Sequence, residues 1–272
     1  TIGRIIVDNY HANDGFVVLH GTDTIAYTTS ALSFMLQGLA KPVVFTGAQL
    51  HISEPRSDAR ENLITALEIA TARTDGQAIV PEVAIYFDDE LLRGNRSRKV
   101  ESMQFDAFES GNYPPLAKAG VKIEYNLPYI RKPSTDDLKL LSTFDNRVAI
   151  LKLFPGIPES ILASILQTPD LKGVVLETFG SGNAPRSEGL VRMLEQAIGR
   201  GVVVVNVSQC PGGMVIQGRY ETSKELARIG VLSGGDMTTE AAVSKLMLLL
   251  GEYGQDRARQ LVGSNWSGEM SS

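Results

Sequence analysis

With 272 residues and 43% apolar content, the chain can build one large core or two modest ones, and size alone does not choose between them. A formal net charge of −5, with no basic stripe interleaved with aromatics, argues against nucleic acid as the main partner. No apolar run reaches the roughly 18 residues of a membrane span, no signal-peptide pattern opens the chain, and the lone Cys210 rules out an internal disulfide framework, so the expectation is a soluble, cytoplasmic protein without a membrane partner.

Ile2, Ile5, Ile6 and Tyr10 recur at helical spacing, which predicts a helix from the start of the chain to Asn13-Asp14-Gly15. A start in mid-pattern, without Met, leads us to expect a missing upstream segment. The apolar run Phe16 to Leu19 reads as a buried strand, followed by a helix over 24–39 with Leu32, Met35, Leu36 and Leu39 on one face. A strand over 42–46, a helix over 58–72 carrying Leu63, Ala66, Leu67 and Ala70, and a strand over 83–87 complete a βαβαβ order, which favours parallel pairing with helical crossovers. After Phe87 the alternation lapses into loops and short extended pieces. Lys132-Pro133-Ser134-Thr135-Asp136-Asp137 has linker composition and divides the chain into a domain over 1–132, a linker over 133–145 and a domain over 146–272. In the second domain the pattern predicts strands over 148–154, 173–178 and 202–207, and helices over 158–167, 186–199, 223–229 and 238–250. The fold class expected is α/β: two α/β domains, a larger N-terminal one with a parallel-rich sheet and a smaller C-terminal one with a parallel sheet.

The chemistry gathers at strand ends. His20-Gly21-Thr22-Asp23-Thr24 places a hydroxyl and a carboxylate between a buried strand and a helix, where open α/β sheets bind ligands and helix N–H groups are available. Thr-Asp-Thr is equally an ordinary helix start, with Thr or Asp as N-cap. A second strand runs into Gly47-Ala48-Gln49 and a polar loop through Ser53, Glu54, Arg56, Ser57 and Asp58, so two strand ends face one crevice. The third candidate is the basic segment Leu92 to Val100. Taken alone, such a run reads as a solvated hairpin. Its turn at Arg93-Gly94-Asn95 follows the strand over 83–87, however, and Lys99 acquires a role if it reaches Asp23, where a desolvated amine beside an acid can act as general base. His11, His20 and His51 show no metal-ligand spacing, Cys210 reads as a small structural residue, and Gly180-Ser181-Gly182 lacks the rest of a dinucleotide fingerprint.

Together, His20-Gly21-Thr22-Asp23-Thr24, Thr46-Gly47-Ala48-Gln49 and Arg93-Gly94-Asn95-Arg96-Ser97-Arg98-Lys99 resemble the bacterial-type L-asparaginases, most nearly the cytosolic type I branch. The likeness continues through Leu171 to Leu176, Gly180 to Pro185 and Ser233 to Thr238, and so covers nearly the whole chain. It implies hydrolysis of the side-chain amide of L-asparagine to L-aspartate and ammonia by covalent catalysis from threonine hydroxyls, without metal or organic cofactor. Thr22, Asp23 and Lys99 match the family's Thr-Asp-Lys set; Gly21, Thr22, Asp23 and Ala48 match its substrate-facing positions. Asn183 matches a loop that approaches a neighbouring subunit's site in a homodimer or homotetramer, and Glu177 and Cys210 lie where type I members place an effector site. The family carries a second essential threonine, its usual first nucleophile, in an N-terminal Thr-Gly-Gly-Thr strand end followed by a lid and a Ser-bearing loop; none of these is found in this sequence, and Thr1-Ile2-Gly3 echoes only part of the motif. Two readings follow: an amidohydrolase whose upstream segment is missing, or a ligand-binding or interaction protein on the same fold. A tRNA-dependent amidotransferase subunit shares the fold, but no RNA-binding region is visible.

Overall fold

A computed structural model describes residues 1–218 and 221–271. The chain divides into two units, Thr1–Ser142 and Thr143–Ser272. In the first, helix α1 spans Ile2–Asp8 and stops well short of Asn13. The Asn9 and Asn13 side chains donate to the carbonyls of Ile5 and Asn9, a local competition with helical bonding that the apolar spacing does not reveal. Strands β1 (Phe16–Leu19), β2 (Val43–Thr46) and β3 (Val83–Phe87) pair in parallel. The sheet then continues antiparallel through β4 (Glu90–Arg93), β5 (Ala117–Ala119) and β6 (Ile123–Tyr125), giving six strands in chain order. This extension lies in the stretch that reads as loops and short extended pieces, because strands of three or four residues are too short to show alternation.

Alternate residues of the parallel strands face opposite ways. Val43, Phe45, Val83 and Ile85 pack with Ile25 and Leu32 of helix α2 (Ile25–Met35). On the other face, Val44, Ala84 and Tyr86 pack with Ala66, Ile69 and Ala70 of α3 (Ala59–Thr71). Leu67 of α3 is exposed, contrary to expectation; Ile69 takes the inward place, since two overlapping apolar stripes on one helix cannot be ranked without the sheet. Helix α2 ends before the expected residue 39. Leu36–Gln37 instead pairs antiparallel with Lys139–Leu140, and Gly38 (φ +81) comes so close to the Asp137 carbonyl that a Cβ would stand 2.5 Å from it. The polar stretch over 133–145 is therefore tied at one end to α2, and at the other the Asp145 N–H donates to Met247 within the second unit.

The second unit is a four-stranded parallel sheet in chain order, β7 (Val148–Lys152), β8 (Gly173–Thr178), β9 (Val203–Ser208) and β10 (Leu232–Ser233). One face packs against α4 (Glu159–Leu166), α5 (Glu188–Gly199) and α6 (Glu221–Arg228) through Leu162, Leu190, Leu194 and Leu226. The other packs against α7, which runs on past residue 250 to span Thr239–Leu261, broken at Gly254 (φ +75). Among the described residues, no helix is long and apolar enough to cross a membrane.

The end of α7 is locked by an ion pair with no solvent access. Lys245 donates to Glu269 at 2.6 Å and to the Val262 carbonyl at 3.0 Å, while Glu269 accepts the N–H groups of Trp266 and Ser267. Removing one partner strands a buried charge, at a cost of about 3–5 kcal/mol. Glu269→Ala is accordingly expected to lower unfolding stability by that amount in urea titrations, and the double variant Lys245→Met/Glu269→Leu by far less.

Candidate active site

Thr22 and Asp23 follow β1 in a single 3-10 turn, Thr22–Thr24, that leads directly into α2. Neither this turn nor α2 has a side-chain cap hydrogen bond, so capping is not what the Thr-Asp-Thr tripeptide does here. Thr22 and Asp23 turn instead to a residue more than seventy positions away. Lys99 Nζ donates to Thr22 Oγ1 at 2.7 Å and to Asp23 Oδ1 at 2.7 Å. The lysine side chain is 17% exposed and the aspartate 92%. The hydrogen bond from Lys99, and secondarily its charge, hold the Asp23 carboxyl below the usual aspartate range.

Lys99 is delivered by a buried scaffold, which corrects the picture of a solvated basic hairpin. Arg93, Asn95, Arg96 and Ser97 are all buried. Arg93 donates to Glu82 at 2.6 and 3.0 Å and to the Tyr129 carbonyl, and its guanidinium lies 4.3 Å from the centre of the Tyr113 ring. Burial, the largest single influence, would lower the Arg93 pKa; the charges and hydrogen bonds of Glu82 and Tyr113 together raise it instead. Arg96 stacks over the same ring at 5.0 Å. Gly94 lies against α2, where the Thr29 hydroxyl is 3.1 Å from its carbonyl and a Cβ would stand 2.7 Å from the Thr29 Cβ. From this anchored turn the short strand Arg98–Lys99, paired antiparallel with Phe108–Glu109, carries the ammonium to the end of β1.

The second strand end is held as closely. Gly47 abuts His20, whose carbonyl would be 2.5 Å from any Cβ there, and Thr22 Cγ2 would be 3.6 Å away. The Asn62 amide donates to the Gly47 carbonyl, and Asp58 accepts the N–H groups of Gln49 and Leu50. Ala48 is thus fixed between tied neighbours, one residue from the position that touches Thr22. Of the polar loop, Ser57 donates to the Leu50 carbonyl; Asp58 and Ser57 are scaffold. Glu82, Asn62, Tyr113 and Tyr129 had no signal in the sequence, because each acts through a partner distant along the chain.

Gly21, Thr22, Asp23, Ala48 and Lys99 all belong to the first unit; Asn183, Glu177 and Cys210 belong to the second. Asn183 exchanges backbone hydrogen bonds with Phe179 and accepts from Thr222. Glu177, near the end of β8, accepts from Thr239 and faces Lys152 at 3.8 Å. Cys210 is exposed just beyond β9. Among the described residues, no group of three or more His, Cys, Asp or Glu side chains is arranged to hold a metal ion.

Comparison with known proteins accounts for both units. Residues 1–131 match the family described as "Asparaginase, N-terminal", and residues 147–261 match "Glutaminase/Asparaginase C-terminal domain". The chain is 44% identical over 273 residues to the 60 kDa lysophospholipase of Mus musculus, covering 99% of this chain and 47% of that protein, so it spans about half that relative's length. It is 40% identical to L-asparaginase 1 of Escherichia coli K12, with 99% of this chain and 78% of that protein covered. The solved structure of L-asparaginase I from Vibrio cholerae matches it with a TM-score of 0.93 at 40% identity, over 100% of this chain and 80% of that one. The chain belongs to the L-asparaginase family, in its type I branch.

Because the Asp23 carboxyl is depressed, its pair with Lys99 is expected to outlast ordinary carboxylates as the pH falls and to be lost only as the pH drops through the lowered midpoint. An NMR titration should find Asp23 below an unperturbed aspartate, and back near the ordinary value in Lys99→Met.

Proposed function

We propose that the chain carries the hydrolytic centre of an L-asparaginase, converting L-asparagine to L-aspartate and ammonia, with Thr22, Asp23 and Lys99 as the reacting set. The observation that carries this reading is one ammonium 2.7 Å from both a hydroxyl and a carboxylate. Once Lys99 has released one ammonium proton to solvent, it takes the Thr22 proton as Oγ1 bonds to the amide carbon and the carbonyl electrons move to oxygen. As the carbonyl re-forms, the carbon–nitrogen bond breaks and the leaving nitrogen departs as ammonia with the proton returned by Lys99. Water then cleaves the acyl ester, regenerating Thr22 and releasing aspartate. Asp23 orients Lys99 and offers an exposed carboxylate to the substrate's α-ammonium, while the backbone around Gly21 and Ala48 faces the rest of the substrate. No step requires a metal or organic cofactor.

The same reading includes a cytoplasmic homodimer or homotetramer in which Asn183 approaches the site of a neighbouring copy, and an effector site near Glu177 and Cys210. Family membership supports the assembly; the single, exposed Cys210 supports a reducing compartment.

Positioned general bases contribute about 10²–10⁴-fold. Lys99→Met is therefore expected to cut ammonia release from asparagine by at least about a hundredfold with the unfolding temperature little changed; undiminished turnover refutes the role. A purified protein of 29.4 kDa that binds asparagine in calorimetry and releases no ammonia would assign the chain to the non-hydrolysing alternative.

A further inference from the structure

His20 is held through both its backbone and its ring. Its N–H donates to the Thr46 carbonyl at 2.9 Å, its own carbonyl abuts Gly47, and its ring lies 5.7 Å from the Phe45 ring. Its two ring nitrogens reach different elements: Nδ1 is 2.8 Å from the Gly21 carbonyl, and Nε2 is 3.0 Å from Thr28 Oγ1 on α2. A carbonyl only accepts, so Nδ1 carries a proton and donates it there.

Gly21 is the N-cap residue of the Thr22–Thr24 turn. It has ordinary extended dihedrals (φ −67, ψ 137), and nothing stands within 4 Å of where a Cβ would be. A glycine has no side chain to limit rotation about its backbone. Rotation of the Gly21–Thr22 peptide would swing the next residue, whose hydroxyl must meet Lys99.

We infer that His20 is a positioning residue: its imidazole, braced by Thr28, clamps the Gly21 carbonyl and thereby holds the Thr22 hydroxyl on the Lys99 amine. This rests on the reading of Thr22, Asp23 and Lys99 as the reacting set. It assigns the work to one ring nitrogen, Nδ1, which separates it from mere filling of space by the ring.

Amide side chains test it, because the Asn nitrogen overlays Nδ1 whereas the Gln nitrogen overlays Nε2. Small displacements of a reacting group cost up to about a hundredfold in rate, so His20→Ala and His20→Gln are expected to lower kcat for ammonia release roughly tenfold, with KM changed less than about twofold. His20→Asn should stay within about threefold of the unmodified protein in kcat. The ¹⁵N order parameter of the Thr22 amide should fall from the rigid range of about 0.85 in the Ala and Gln variants and stay there in Asn. Loss in Asn equal to that in Ala, or unchanged kcat and Thr22 order in Ala, overturns the clamp. If His20→Ala does not fold, Thr28→Val gives the same readout, since it removes only the brace; unchanged Thr22 order and kcat in that variant then count against the clamp. A folded, unmodified protein that releases no ammonia defeats the hydrolase reading, and the Thr22 order parameters then decide the clamp on their own.

Discussion

The ammonium of Lys99 joins side chains 77 and 76 positions away in sequence, and much of the first unit serves to bring it there. The electrostatic attraction cannot do this by itself. Asp23 is 92% exposed, and pairs open to water gain little, because solvent screens the charges and ordering long side chains costs entropy. The geometry has to come from the stem of Lys99 and from what holds that stem. The charge pair is the product of the fold and contributes little to its stability.

What holds it is the buried turn before Lys99. Placing Arg93 and Arg96 out of contact with water is unfavourable unless each positive group is compensated. Glu82 supplies a two-point partner for Arg93, and Tyr113 offers a ring face to both guanidinium groups. Gly94 then lets the turn press against Thr29 of α2, the same helix whose N-terminal approach carries Thr22 and Asp23. One helix thus references both halves of the site: its start bears the acid and hydroxyl, and its middle fixes the turn that bears the amine.

Both units place their candidate polar groups by the same rule. At the carboxyl end of parallel strands the chain leaves the sheet with backbone and side-chain polar groups unprotected by helices, and ligands bind in such crevices. In the first unit this yields Thr22, Asp23 and Ala48 after β1 and β2. In the second it yields Glu177 at the end of β8 and Cys210 after β9, with Gln209 donating to the Leu153 and Glu177 carbonyls.

The parallel core, the strand ends and their motifs could be read from the chain directly, because each is written in a few consecutive residues: Phe16 to Leu19 before Gly21-Thr22-Asp23, and Val43 to Thr46 before Gly47-Ala48. The family likeness of the same short motifs identified Lys99 as their partner. What could not be read that way has a long-range cause. Glu82 beneath Arg93, Asn62 on the Gly47 carbonyl, the strand at Lys139–Leu140 and the inward turn of Ile69 all depend on segments brought together only in the folded chain. Local sequence determined which residue types end each strand, since periodicity and turn chemistry act over a few positions. Tertiary structure alone decided that Arg93 and Arg96 of a densely basic run are interior and not surface, because burial of charge depends on whether distant partners arrive to compensate it.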